Sequence, residues 1–234
     1  MSGSKIIHVP HASTFIPELY RGTFLLDAES LEKEAYLSAD LYTDQLARAA
    51  WPGATIIEAP VSRIVCDVER YADDDIETMA KVGRGMTYTH THMGERMRRE
   101  FSRAEREAIQ QDLYEPHWAA LRQAAEGSVL IDLHSYPEEV WPIEGDLAAH
   151  RPEIDLGTTE GVTPPEWTES LRRHFERAGY EVGINSPYAG VIDAGADAAV
   201  MIEIRRDILG KPGSEQWSRI VEALTAIPWP CVDG

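Results

Sequence analysis

The sequence predicts a single α/β domain over residues 1–234, built as three layers with a mostly parallel or mixed central sheet between helices. Three observations predict it. Short apolar runs alternate with segments carrying helix-cap signals, the pattern of linked βα units. The runs opening at Val129 and Ala199 begin without polar alternation, as strands buried on both faces do. Of the 234 residues 43% are hydrophobic, enough for a substantial core and too many for a disordered chain.

The elements follow in order. Lys5–Val9 reads as a first strand and ends in Pro10-His11-Ala12-Ser13. Ser30–Ala50 is rich in helix formers and reads as one helix, stopped by Pro52-Gly53. Ala54–Ala59 and Val61–Asp67 read as strands separated by Pro60. Tyr71–Glu95 has no period and holds three glycines, so a long loop acting as a lid is expected. Ser102 with Glu105 forms a capping box for a helix running to about Ala125. The strand at 129–134 follows, then an irregular stretch from Pro137 to Val162. Thr163, Pro164 and Glu166 stand in register as cap, first-turn proline and third-position acid of another helix. Tyr180–Ile184 and Ala199–Ile204 read as strands and Ser214–Ala226 as the last helix.

Composition excludes several partners. A net charge of −18 is the wrong sign for nucleic acid or an anionic membrane surface, but it allows a small anionic substrate in a local arginine pocket. No run approaches the ~20 apolar residues of a membrane span. No basic, apolar leader opens the sequence, and Cys66 and Cys231 form no CxxC, so a cytoplasmic protein with free thiols is expected. Its expected state is a monomer or small homo-oligomer.

Val129-Leu130-Ile131-Asp132-Leu133-His134-Ser135 turns from apolar to Asp, His and Ser where a strand should end. Ligands of open α/β sheets sit beyond the carboxyl ends of strands. His11 stands in the equivalent place after the first strand. Two histidines lack one partner of the three-ligand set typical of zinc hydrolases. Asp40 and Asp44, one turn apart in the expected helix, are the candidates for it. Glu203 lies inside an apolar strand, where a carboxylate is costly unless paired or used. It is a candidate general base, or else a buried partner of Arg205, Arg63 or Arg70. Arg63 and Arg70 flank a predicted strand and are candidate anchors for a carboxylate; the alternative is a salt-bridge row with Asp67 and Glu69. In the turn-rich Asn185–Gly190, Asn185 and Tyr188 are candidate substrate contacts, although Tyr188 can equally pack the turn. His90 and His92 offer a second metal site, lid contacts or, with no carboxylate near in sequence, exposed loop groups; His8 offers a structural role, and His117, His150 and His174 helix or surface positions. Neither Ser13 nor Ser135 sits in a nucleophile elbow.

In order along the chain, His8–Ser13, Ser38–Asp44, Ser62–Arg70, Gly83–Thr89, Tyr114–Trp118, Ile131–Ser135, Gly157-Thr158, Asn185–Gly190 and Met201–Arg205 together resemble the N-formylglutamate amidohydrolase family. That family is similar to zinc carboxypeptidases and aspartoacylases, so the resemblance implies their α/β, phosphorylase/hydrolase-like fold and one zinc ion. It implies His11, Asp40 and His134 as zinc ligands, Glu203 as general base, and Arg63 and Arg70 as contacts to an anionic N-acyl amino acid. The implied reaction is hydrolysis of an N-formyl or other N-acyl amide, in amino-acid metabolism such as histidine degradation. Two positions depart from the family pattern: 157–161 lacks a histidine common in relatives, and Arg205 stands where asparagine is frequent. The rival readings are an amidohydrolase of another N-acyl amino acid or small peptide, and a non-catalytic metal or anion binder. A phosphoesterase needs more ligands than the sequence supplies.

Overall fold

The computed structural model describes residues 4–144 and 150–231. Among them, six strands form one sheet: β1 (Ser4–Val9), β2 (Thr55–Glu58), β3 (Ser128–Tyr136), β4 (Ile154–Gly157), β5 (Val182–Ile184) and β6 (Ala198–Arg205). The sheet order is β2-β1-β3-β6-β4-β5. β2, β1, β3 and β6 pair in parallel, β4 runs antiparallel to β6, and β5 is parallel to β4. The fold is therefore α/β with a mixed sheet, as the alternation of apolar runs and caps predicts. Helices α1 (Glu18–Arg21), α2 (Ala28–Ser38), α3 (Thr43–Ala50), α4 (Arg103–Ile109), α5 (Glu115–Ala125), α6 (Pro165–Arg177), α7 (Arg206–Leu209) and α8 (Glu215–Thr225) surround it.

The central strands treat their two faces differently. Alternate side chains point to opposite faces. On one face Ile7 and Val9 of β1, Val129, Ile131 and Leu133 of β3, and Val200, Ile202 and Ile204 of β6 join Leu46, Leu171 and Leu224 of α3, α6 and α8 in the main core. Each such side chain stabilises the fold by roughly 1.5–3 kcal/mol when buried. The opposite face begins apolar, with Ile6, Leu130 and Ala199 against Leu121 and Ala125 of α5. It then turns polar toward the carboxyl ends, with His8, Asp132, His134 and Glu203 all buried. That change of chemistry along one face sets the position of the site.

Four sequence expectations are corrected. The helix expected over Ser30–Ala50 is two helices, α2 and α3. Asp40 leaves the helix so that its amide donates to the His11 carbonyl at 2.8 Å, and Tyr42 restarts the chain in the left-handed region at φ 69°. Val61–Asp67 is a series of turns rather than a strand; its apolar residues Val61, Ile64, Val65 and Cys66 fill a second core with Leu31, Met86 and Met97. The irregular stretch 137–162 contains β4, a four-residue strand whose apolar run is broken by Asp155. Thr163 is not the cap of α6, because its hydroxyl donates to the Ala199 carbonyl and Pro164 takes the cap position. The capping box of Ser102 and Glu105 does open α4, which continues through one π-turn, Gln110–Tyr114, into α5.

Candidate active site

Three parallel strands deliver the site. His11 follows β1, His134 lies near the end of β3, and Glu203 is its register partner on β6. Asp40 arrives from the break between α2 and α3. His11 Nδ1 and His134 Nδ1 lie 3.3 Å apart. Asp40 Oδ2 is 3.1 Å from the latter and 3.6 Å from the former. His11, Asp40 and His134 thus place one ligand atom each around a common point. Asp44 stays at the surface, beside Arg48.

The far nitrogen of each ring faces a carboxylate. His11 Nε2 donates to Asp67 Oδ1 at 2.8 Å. His134 Nε2 lies 3.0 Å from Asp132 and 3.1 Å from Glu69. A carboxylate at Nε2 selects the tautomer with hydrogen there, leaving the Nδ1 lone pair free for a cation. Two imidazoles and a carboxylate are a donor set that suits zinc. The surrounding charge suits a cation too. Burial alone lowers the pKa of both imidazoles, yet the adjacent carboxylates outweigh it and hold both above their ordinary value. Burial opposes ionisation of Asp40, but hydrogen bonds from His11 and His134 outweigh it and keep the carboxyl far below the usual range.

Glu203 is the unpaired member. Its Oε2 is buried with no hydrogen-bond partner, and burial pushes its pKa up to about 8. No arginine lies within salt-bridge distance of it among the described residues; Arg205 pairs instead with Asp207. Arg63 and Arg70 both line the cavity beside the triad, a cleft of about 730 Å³. Arg63 is already gripped by Asp67 through Nε and Nη2, and Arg70 lies 3.7 Å from the same carboxylate. Anchor and salt-bridge partner are therefore compatible roles for these two residues. Tyr188 lines the wall, its hydroxyl donating to Glu144 at 2.6 Å. The Asn185 side chain ties Thr158 and Gly190 together from a left-handed backbone and so braces the loop that carries Tyr188.

His92, expected among exposed loop groups, meets the buried Glu34 at 2.6 Å, and His90 bonds Thr89. His117, expected in a helix or at the surface, lies in α5 and is buried, its Nε2 2.8 Å from His8 Nε2, while His8 Nδ1 reaches Asp132. Sequence reasoning left Asp67, Glu69 and Asp132 without a part in the site. Asp132 carried a signal, since it interrupts an apolar run two residues before His134 and shares its face. Asp67 and Glu69 sit on turns, where no period points to a face.

The sequence profile of the N-formylglutamate amidohydrolase family matches residues 4–209. The chain belongs to that family. Membership places it among amidohydrolases, hydrolases of amide bonds. A solved N-formylglutamate amidohydrolase from Ralstonia eutropha JMP134 superposes with a TM-score of 0.80 at 23% identity, over 96% of this chain and 91% of that one. The gene product Atu2144 from Agrobacterium tumefaciens gives 0.73 at 22% identity, over 96% and 88%. At that identity these two structures speak to the fold. No curated protein sequence matches. Among the described residues no helix is long and apolar enough to cross a membrane.

Proposed function

We propose that the chain, working as one catalytic unit, is a zinc-dependent amidohydrolase that removes the N-formyl or another N-acyl group from a small acidic amino acid such as N-formylglutamate. The observation that carries this is the convergence of His11 Nδ1, His134 Nδ1 and Asp40 Oδ2, each ring backed by a carboxylate, beside an unpartnered buried Glu203. These three residues would hold the zinc, which when bound supplies a Lewis acid that acidifies water and polarises an acyl carbonyl.

The other steps belong to the chain. Glu203 Oε2 accepts a proton from the attacking water and returns it to the leaving nitrogen. A carboxyl whose burial moves it up toward neutrality suits both directions of transfer. Asp67, Asp132 and Glu69 hold the two imidazoles in the tautomer described above. Arg63 and Arg70 receive substrate carboxylate, with Tyr188 as a wall and Asn185 setting the loop that carries it. The cavity of about 730 Å³ is large for a formyl amino acid, which favours a longer N-acyl amino acid or a small peptide as the second reading.

The deciding experiment is elemental analysis of wild type and His134→Ala, with formate release from N-formylglutamate followed in parallel. About one zinc per chain, absent from the variant together with the activity, is expected. Protein that takes up no zinc on dialysis, or that hydrolyses the substrate without it, would overturn the reading.

A further inference from the structure

Among the described residues, Arg84 is a buried cation without a counter-ion. It is 4% exposed and lines the cavity. Its one side-chain hydrogen bond runs from Nη2 to Ser38 Oγ at 3.2 Å, and Nη1 is buried with no acceptor. Among the described residues no carboxylate comes within salt-bridge distance of it. An unpaired buried charge is expensive, and the fold nevertheless holds this one in place. The guanidinium lies over the Tyr88 ring at 4.3 Å and the Trp141 ring at 5.4 Å. Its backbone is fixed between two crowded glycines. Gly83 has φ 76°, and a Cβ there would strike the His90 ring; one on Gly85 would press on Asp74 and Ala80.

The neighbouring cations differ. Arg63 spends Nε and Nη2 on Asp67. Arg206 donates to the Leu37 carbonyl and to Asp40. Arg98 is also buried without a carboxylate, but it lies outside the cavity and donates to Thr23 and to the carbonyls of Ile64 and Val65. Arg84 alone of these four combines a place on the cavity wall, burial, and a guanidinium with a single protein acceptor. Planar guanidinium groups pre-set by stacking are well suited to carboxylates.

We propose that Arg84, stacked on Tyr88 and Trp141, is a carboxylate-binding residue that selects substrates with a second carboxylate, the first being taken beside Arg63 and Arg70. This rests on the amidohydrolase reading and deepens it. It makes discrimination between acidic and neutral side chains a property of one residue outside the zinc ligands and the general base.

The test compares kcat/KM for N-formylglutamate and N-formylglutamine in wild type and Arg84→Gln. Loss of one charged hydrogen-bonding partner should lower the preference for the glutamate substrate on the order of ten- to a hundred-fold. The ratio within one preparation does not depend on the fraction folded, so a poorly folding variant still answers. An unchanged ratio, or equal losses on both substrates, overturns the proposal. Calorimetric binding of glutarate to the purified proteins is a second readout. If wild type hydrolyses neither substrate, the N-formyl reading fails while this measurement still decides Arg84. Glutarate binding that weakens in the variant supports the assignment, and equal binding removes it.

Discussion

Two regions build the cavity in different ways. The carboxyl ends of β1, β3 and β6 carry His11, His134 and Glu203 on a hydrogen-bonded sheet whose reverse face is the main core. The segment from Ala59 to Phe101 carries Arg63, Asp67, Glu69, Arg70, Arg84 and Tyr88 on turns and isolated bridges, over a separate core of Ile64, Val65, Met86 and Met97. The sheet fixes groups whose relative positions have little freedom to vary. The irregular wall fixes the groups proposed to receive a substrate, and it does so through side chains. Arg98, for example, satisfies the carbonyls of Ile64 and Val65 that a strand partner would otherwise take. Irregular backbone here is closely packed, and Asp67 ties it to the sheet by accepting from His11, Arg63 and Tyr88 together.

The sharpest break on the sheet side is Glu203→Gln. It should lower kcat by about 10²–10⁴-fold with KM little changed, as for loss of a general base. Retained zinc in that variant would separate loss of the base from loss of the site; unchanged kcat would remove the base assignment. At the junction, Asp67→Asn removes the charge from a fully buried carboxylate and leaves the partly buried Arg63 beside a neutral amide. It should cost about 3–5 kcal/mol in urea unfolding, and a change below about 1 kcal/mol would show that the two regions are not coupled there.

His117 offers a pH test on the α5 side. Burial first, then the charges of His8 and His11, push its pKa from the ordinary 6.5 down to about 3. The unfolded chain therefore binds a proton that the folded one refuses. Its contribution to stability is whole above pH 6.5 and is lost as pH falls toward 3. His117→Gln should flatten the fall in unfolding free energy over that window relative to wild type, and parallel curves would count against it.

The smallest effect concerns thiols. Cys66 lies in the irregular wall, where burial pushes its pKa up to about 12, while Cys231 is exposed. Native protein should react with a disulfide reagent at one thiol per chain, and at two only after unfolding. Two fast thiols would mean that the wall opens.

The same division governs what could be read from sequence. β1, β3 and β6 were legible because apolar runs of strand length end abruptly in polar residues. His11, His134 and Glu203 were legible as candidates because that boundary coincides with the sheet edge. The break at Asp40 was hidden because Ala39-Asp40-Leu41-Tyr42 holds neither glycine nor proline, and a tertiary bond to His11 overrides good helix formers. Val61–Asp67 imitated a strand because turns that bury alternate residues leave the same pattern. Arg84 gave no signal, because its character comes from the absence of a carboxylate partner among the described residues, which only three-dimensional neighbours reveal.

The reversed direction of β4 has a consequence for how such proteins diversify. β3 ends at Tyr136 on the same edge of the sheet where β4 begins, since Ile154 sits opposite Ile204. The chain leaves the sheet and re-enters it at one rim. Length and composition can therefore drift in that stretch while the strand order stays intact. Between them lie Trp141 and Glu144, both in the cavity wall. Substrate range can thus evolve by insertion or deletion at a single connection, leaving the residues that converge beneath it untouched.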